Sequence, residues 1–526
     1  MGQRSCSIIG SLAREIIPDL PARPIGNRPW SSWRSAVGAP RLIALAAGLL
    51  GLGAAWFYHL QGLTLSHYDA RGHLVVARRI IDSITPGWQQ IGAVWLPLPH
   101  LLNMLPVQID WLYRTGASAV AFSVLAFTLA TWAMARLIVR VTGSPLAAWL
   151  GVAVFALNPN VLYLQSTPME EPLLFGFALL GVALLYDWVD DPRPAPGRGA
   201  GAALAAACLT RYEAWLITAA VLTAAAWARW RGGDRLPVAI RRVAAVAVWP
   251  TAAILGFFVL SRATVGHWLV TSGFFVAQNK ARGKPLVALA ELVWGERQIS
   301  GLWLLITASA GGLLLLGRGL VSRMRARDWL LVALAASTAL PCYAFFKGHP
   351  FRIRYMVPFV AFEAVAIGVL VGAAGRRRRV AAVAALLVMV LEIHPFDPRA
   401  PMVLEAQWDR PNFAPRQHVT DCLRAGYHGG KIMISMGALG HYMQDLGRAG
   451  FPIRDFLHEG NGDIWLAALH DPRPFVNWIL IEEKAEGGGP LARLSRQDPH
   501  FLDGFTPVCH GAGVVLYKRT LPPLPD

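Results

Sequence analysis

One feature recurs along most of this chain: uninterrupted apolar runs long enough to cross a bilayer. They fall near residues 42–60, 115–135, 145–164, 172–187, 243–261, 301–317, 329–346, 356–375 and 380–394. A hydrocarbon core about 30 Å thick needs roughly 20 apolar residues of helix, which each run approaches or meets. Two shorter apolar pieces between Gly199 and Arg229 are broken by Thr210-Arg211-Tyr212-Glu213. They predict two short helices or a re-entrant hairpin meeting at membrane depth, where irregular backbone survives only inside protein. The expected fold is an α-helical polytopic membrane protein of about 11 transmembrane segments. With 55% hydrophobic and 15% charged residues among 526, a soluble globular chain of this size is excluded, as is a disordered one. Five cysteines are too few for a disulfide scaffold.

The net charge of +17 would suggest a nucleic-acid partner in a soluble protein, so its location matters. Residues 1–394 hold 36 Lys and Arg against 17 Asp and Glu, whereas the rest of the chain holds 13 against 15. The excess concentrates in short loops: the tail to Arg41, Arg136 and Arg140, 229–242, 318–328, and Arg376 to Arg379. Basic loops of this kind are retained in the cytoplasm, so nucleic acid is not implied. The expected topology has residues 1–41 as a cytoplasmic tail, 42–394 as the membrane domain and 395–526 outside. No continuous apolar stretch precedes Arg41, so a cleaved signal peptide is not expected.

The outer side then carries residues 61–114, the link 165–171, 262–300, 347–355 and everything after 395. Within 61–114, Leu74, Val75, Ile80, Ile81 and Ile84 mark an apolar helix face that Thr85-Pro86-Gly87 ends, and a second short helix follows Pro99. Both are expected to lie along the membrane surface. After Pro395 alternating stretches at 431–436, 478–481 and 514–517 predict a small α/β domain of about 130 residues. Its Cys422 and Cys509 would lie in an oxidising compartment, where they either pair or remain free.

Three outward motifs carry titratable groups. In Ser66-His67-Tyr68-Asp69-Ala70-Arg71-Gly72-His73, Asp69 has two readings: the Ser66-x-x-Asp69 spacing of a helix cap, or a general base held at the membrane surface. In Gln165-Ser166-Thr167-Pro168-Met169-Glu170-Glu171-Pro172, the acids are either a solvated helix start or functional groups at a costly location. In Lys347-Gly348-His349-Pro350-Phe351-Arg352-Ile353-Arg354-Tyr355, a basic cluster runs against the positive-inside trend. It suits a lipid-linked phosphate, the bland reading being arginines reaching outer-leaflet headgroups. Arg211 and Glu213 read as an internal ion pair that closes the short helices. Trp95 and His100, with His67, Tyr68 and Gln165, are candidates for holding sugar or acceptor, or Trp95 is an interfacial anchor. His67, His73, His100 and His349 with Asp69, Glu170 and Glu171 leave a divalent cation open, although no H-x-x-x-H spacing is present.

The order and common sidedness of these motifs resemble the GT-C class of integral membrane glycosyltransferases. The nearest-looking relatives are protein O-mannosyltransferases and the bacterial aminoarabinose transferases that modify lipid A. The resemblance implies transfer of a sugar from a polyprenyl-phosphate donor to an extracytoplasmic glycan, lipid or protein acceptor, at a bacterial inner membrane. It implies Asp69 as catalytic base, Glu170 and Glu171 lining the same cavity, and Arg352, Arg354, Lys347 and Tyr355 at the donor phosphate. One acid follows the first span, where the protein O-mannosyltransferases carry an adjacent pair, so acceptor class does not transfer. A lipid-linked glycan flippase, or a surface-glycan ligase or polymerase, is the alternative. Against the flippase stand the lack of two matching hydropathy halves and the large terminal domain.

Overall fold

The structure, a computed structural model, describes residues 30–191, 197–270, 278–484 and 489–520, with side chains from residue 38 onward. Most of the expected N-terminal tail therefore lies outside the described residues.

Helix α1 (Trp30–Leu60) leads into α2 (Tyr68–Arg79), and after four short helical pieces the chain enters α3 (Ala117–Thr142). Next come α4 (Pro145–Ala156), α5 (Pro159–Leu164), α6 (Glu171–Asp190), α7 (Arg198–Cys208), α8 (Glu213–Arg231) and α9 (Leu236–Val265). The membrane part closes with α10 (Pro285–Ser300), α11 (Leu302–Val321), a mixed 3₁₀ and α segment α12 (Arg323–Lys347), α13 (Ile353–Ala373) and α14 (Arg378–Glu392). Every expected apolar run becomes helix, but only seven helices among the described residues are long and apolar enough to cross a membrane. The span expected over 145–164 is corrected to two helices of 12 and 6 residues. Pro159 lacks the amide that would continue α4, and Asn158 caps the restart by accepting from the Asn160 amide at 2.9 Å. Its backbone break is tolerated because Val161 to Leu164 are wholly enclosed by protein. As expected, the 199–229 region forms two helices that break around Thr210-Arg211.

The bundle is organised around α13, 83% of whose apolar window is buried against 22% for the peripheral α9. Small residues let helices approach it. A Cβ on Gly151 of α4 would lie 2.7 Å from the Ala364 carbonyl oxygen, and one on Gly368 would lie 3.1 Å from the Ala147 oxygen. At one end of the bundle, arginines and acids pair across helices: Arg136 and Arg140 with Asp187, Arg140 and Arg327 with Asp190, and Arg318 with Asp328. The motifs singled out from the sequence gather at the other end.

The C-terminal region holds a five-stranded sheet in the order β2-β1-β3-β5-β4: β1 (Ile432–Ile434), β2 (Phe456–Leu457), β3 (Trp478–Glu482), β4 (Phe505–Gly511) and β5 (Val514–Arg519). The pairs β1–β2 and β1–β3 are parallel, while β5 runs antiparallel to both β3 and β4. Strand β3 is buried along its whole length because both faces of the sheet are covered. Trp478 and Leu480 join one core, and Ile479 and Ile481 the other. Helices α15 (Phe413–Gly426) and α16 (Met436–Arg448) cover the first face. Cys422 of α15 and Cys509 of β4 form a disulfide. The apolar face of α2 is covered by protein: Leu74, Val75 and Ala77 belong to the same core as Leu423, Tyr442 and Leu446. Ile80 and Ile81 lie beyond the end of α2.

Candidate active site

Four chain segments converge at the end of the bundle that carries α2. The N-terminus of α2 brings Asp69, the start of α6 brings Glu170 and Glu171, the α7–α8 break brings Arg211, and the entry to α13 brings Arg354. The cap expected from Ser66 is corrected: His67 is the N-cap of α2, its Nδ1 accepting from the Asp69 amide at 3.1 Å. Ser66 instead donates to the Ala406 carbonyl at 2.8 Å. The other His67 nitrogen faces Glu405 Oε1 at 3.4 Å, which fixes an Nε2–H tautomer when the pair is hydrogen-bonded.

Asp69 Oδ2 lies 2.5 Å from Arg354 Nη1, both side chains being about nine-tenths enclosed. Burial alone would raise the Asp69 carboxyl, but Arg354, His67 and His73 outweigh it and hold the group below its ordinary value. It is therefore an ionised carboxylate at neutral pH. Arg211 is the hub of the second group. Its Nη1 donates to Glu170 at 2.9 Å and to Glu171 at 2.6 Å, while Nη2 and Nε hold Glu213 at 2.6 and 3.2 Å. The expected Arg211–Glu213 pair is thus present, and it is part of a larger knot with the acids of the α6 turn. The other Glu170 oxygen contacts His73 Nε2. Burial again opposes ionisation of Glu170, and His73 and Arg211 together hold its carboxyl well below the usual range.

Beyond Glu170 a polar row continues inward. His73 Nδ1 and His100 Nε2 lie 3.0 Å apart, and the Trp95 ring packs 4.3 Å from His73. Burial, with His73 alongside, lowers His100 well below the ordinary imidazole value, so it is neutral. Gly72 makes this packing possible, since a Cβ there would meet the Trp95 ring edge at 2.9 Å. Tyr355 lies beneath both guanidiniums, 5.5 Å from Arg354 and 5.9 Å from Arg211. Tyr68 stacks on His67 at 4.6 Å, and burial beside Asp69 pushes its hydroxyl up to about 12.

The structure thus brings together Asp69, Glu170, Glu171, Arg211, Glu213, Arg354, Tyr355, His67, Tyr68, Trp95 and His100. Arg352 is half-buried and close enough for its charge to act on Tyr68. Lys347 is exposed and rests over Tyr343 at 5.8 Å. Gln165 is buried beneath the turn, where it donates to the Gly51 carbonyl at 3.0 Å and to Ser166 Oγ at 2.8 Å, tying α1 to the chain before α6. For a divalent cation, the three-ligand grouping found among the described residues is His418, Cys422 and Cys509, remote in sequence from the acids above. Both of its sulfurs are joined to each other.

The C-terminal region supplies a wall that no local motif signals. Arg71, two residues from Asp69, pairs with Asp445 at 2.5 Å and with Asp409 at 2.8 Å. Asp409 also receives Arg416 at 2.7 Å, and His441 lies between these groups, 2.8 Å from Arg416 and 3.5 Å from Asp409. Burial, Arg71 and Arg416 push His441 down to about 3, so it docks as a neutral ring. The partners lie 338 to 374 residues apart in sequence, which is why the sequence holds no signal for them.

Comparison with protein-family models finds no match, and neither does comparison with curated proteins. Solved structures do match. ArnT from Cupriavidus metallidurans bound to undecaprenyl phosphate superposes with a TM-score of 0.55 at 14% identity, covering 91% of this chain and 99% of that one. The same protein in the apo state gives 0.55 and 14%, covering 94% and 100%. At this identity the likeness establishes the fold alone: the chain shares the architecture of ArnT.

Proposed function

We propose that the protein moves a sugar from a polyprenyl-phosphate carrier to an extracytoplasmic acceptor in a single inverting displacement, with Asp69 as general base. It would do so in a bacterial inner membrane, with the N-terminus cytoplasmic and the C-terminal domain outside. The observation that carries this reading is the enclosed Asp69–Arg354 pair. In it a base and a phosphate-binding group neutralise each other while the site waits for donor.

A donor phosphate offers Arg354 an alternative partner, and the planar guanidinium matches phosphate oxygens in pairs. Arg352 adds a second positive charge near the same position. Once Arg354 turns to the phosphate, Asp69 loses its strongest counter-charge and becomes a better proton acceptor. The acceptor heteroatom then bonds to the anomeric carbon as the bond from that carbon to the phosphate oxygen breaks. Asp69 takes the acceptor proton, and the carrier leaves as polyprenyl phosphate, its added negative charge held by Arg354 and Arg352. Glu170 and Glu171, fixed by Arg211, form the polar wall against which sugar hydroxyls are oriented, with Trp95 as an apolar platform. The undecaprenyl phosphate bound by ArnT, which shares the fold, supports a lipid-phosphate donor class.

The test is transfer in a reconstituted system, together with mass spectrometry of lipid copurified in gentle detergent. Asp69→Asn should retain a polyprenyl-phosphate monosaccharide while turnover falls by about 10²–10⁴-fold. Arg354→Gln should lose the copurified donor. Full turnover by Asp69→Asn would remove Asp69 from the role of base, and a copurified lipid-diphosphate oligosaccharide would favour a flippase or ligase.

A further inference from the structure

The end of the bundle away from Asp69 holds a groove of about 490 Å³ lined by Ser144, Pro145, Leu146, Gly375, Arg376, Arg378 and Arg379. It lies past the C-terminal end of α3, a 26-residue helix whose other end adjoins the site, so about 40 Å separates the two. We propose that this groove binds the headgroup of an anionic phospholipid from the leaflet opposite the Asp69 site.

Charge is the first argument. Several arginines at this end are matched to acids, Arg136, Arg140, Arg318 and Arg327 to Asp187, Asp190 and Asp328, and Arg229 to Asp234. Among the described residues, no ion pair forms at Arg376, Arg378 or Arg379. Among the described residues, the one side-chain hydrogen bond of these three runs from Arg378 to the Gly372 carbonyl at 3.3 Å. Retention of a loop in the cytoplasm needs basic residues but no cavity, so topology does not account for the groove. The twelve-residue α4 also begins here, capped by Ser144, and its N-terminal amides add positive potential on the same side.

The surroundings decide between a free phosphate and a lipid. Arg378 opens α14, which immediately turns Val380, Val383, Leu387 and Leu391 outward at 57–70% exposure. On the opposite lip Leu146 and Trp149 of α4 are 42% and 39% exposed. The arginines therefore stand where lipid-facing surface begins, so an occupant with an anionic head and apolar chains satisfies both halves of the groove. Basic pockets between spanning helices have this chemistry.

The test is native mass spectrometry of the full-length protein titrated with cardiolipin in neutral detergent. Removing three arginines by Arg376→Gln, Arg378→Gln and Arg379→Gln should weaken retention on the order of 100-fold, at about fivefold per basic residue. Because loss of basic residues can disturb insertion, Leu146→Glu is the second variant. It keeps every arginine and places an anion at a half-exposed position, and it should likewise reduce retention. Unchanged retention in both variants would overturn the proposal. So would displacement of cardiolipin by an equal concentration of inorganic phosphate, or loss of retention in Arg354→Gln in place of the groove variants, which would put the lipid at the Asp69 site.

Discussion

Replacing Arg211 by Met tests the electrostatics of the site most directly, because one guanidinium serves three enclosed carboxylates, those of Glu170, Glu171 and Glu213. Met keeps the length of the stem and removes the charge. Glu170 retains His73 as a partner, but the other two acids lose their cation. Removing one partner of a buried pair costs about 3–5 kcal/mol. The least costly escape is for a carboxyl to take up a proton. From an ordinary glutamate value of about 4.3, protonation at pH 7.5 costs about 3.2 pK units, or roughly 4.4 kcal/mol. At pH 5.5 the same step costs only about 1.6 kcal/mol. The variant should therefore be clearly less heat-stable than wild type at pH 7.5, with the gap narrowing by more than half at pH 5.5. Thermal unfolding of the two proteins in the same detergent at both pH values measures it. A gap that is unchanged or wider at the lower pH would mean that the three acids do not depend on Arg211 for their charge, and the knot described above would have to be abandoned. Adding Glu213→Leu to the variant should recover part of the loss at pH 7.5, since it removes one of the stranded charges.

Cys422→Ser opens a crosslink spanning 87 residues and should lower the stability of the C-terminal region by about 2–4 kcal/mol, read by denaturant unfolding under non-reducing conditions; equal stability, with Cys509 alkylated equally in both proteins, would argue against the bond. Acidification should loosen the docking of this region on α2. The folded value of His441, about 3, lies below the ordinary 6.5, so the unfolded chain binds the proton first and stability falls as pH drops below about 6.5. The loss at pH 5 is about 2 kcal/mol, and His441→Gln should flatten the slope between pH 6.5 and 5, a persistent slope refuting the assignment.

What the sequence made legible follows the range of the interactions involved. Apolar runs report burial in lipid or protein, so the helices of the membrane part could be read, although Pro159 shortened one expected span. The strands at 432–434, 478–482 and 514–519 were visible because β-branched and aromatic residues cluster there. Edge strand β2 has only two residues, and β4 exposes Thr506, Pro507 and Val508, so neither stands out. At the site, charged motifs at loop positions identified Asp69, Glu170, Glu171 and Arg354. The roles of Glu405, Asp409, His441 and Asp445 were invisible, because each depends on a fold that brings distant segments onto one short helix. Gln165 looked like a polar group facing the cavity, whereas its amide is occupied by the backbone of α1.

The docking of α15 and α16 on α2 also sets a time at which the site can first exist. Arg71 and Asp445 are 374 residues apart. At synthesis rates of about 5–20 residues per second, the helix carrying Asp69 leaves the ribosome roughly 20–75 s before its last partner does. During that interval Leu74 and Val75 lack the cover of α15 and α16, and the carboxylate stands on a helix whose orientation is not yet held from above. A chain cut short before residue 436 would keep every spanning helix and every charged motif recognised in the sequence, yet lack His441 and Asp445 of the wall that fixes them. Completion of the last segment would thus act as the checkpoint that separates an inserted chain from a working one.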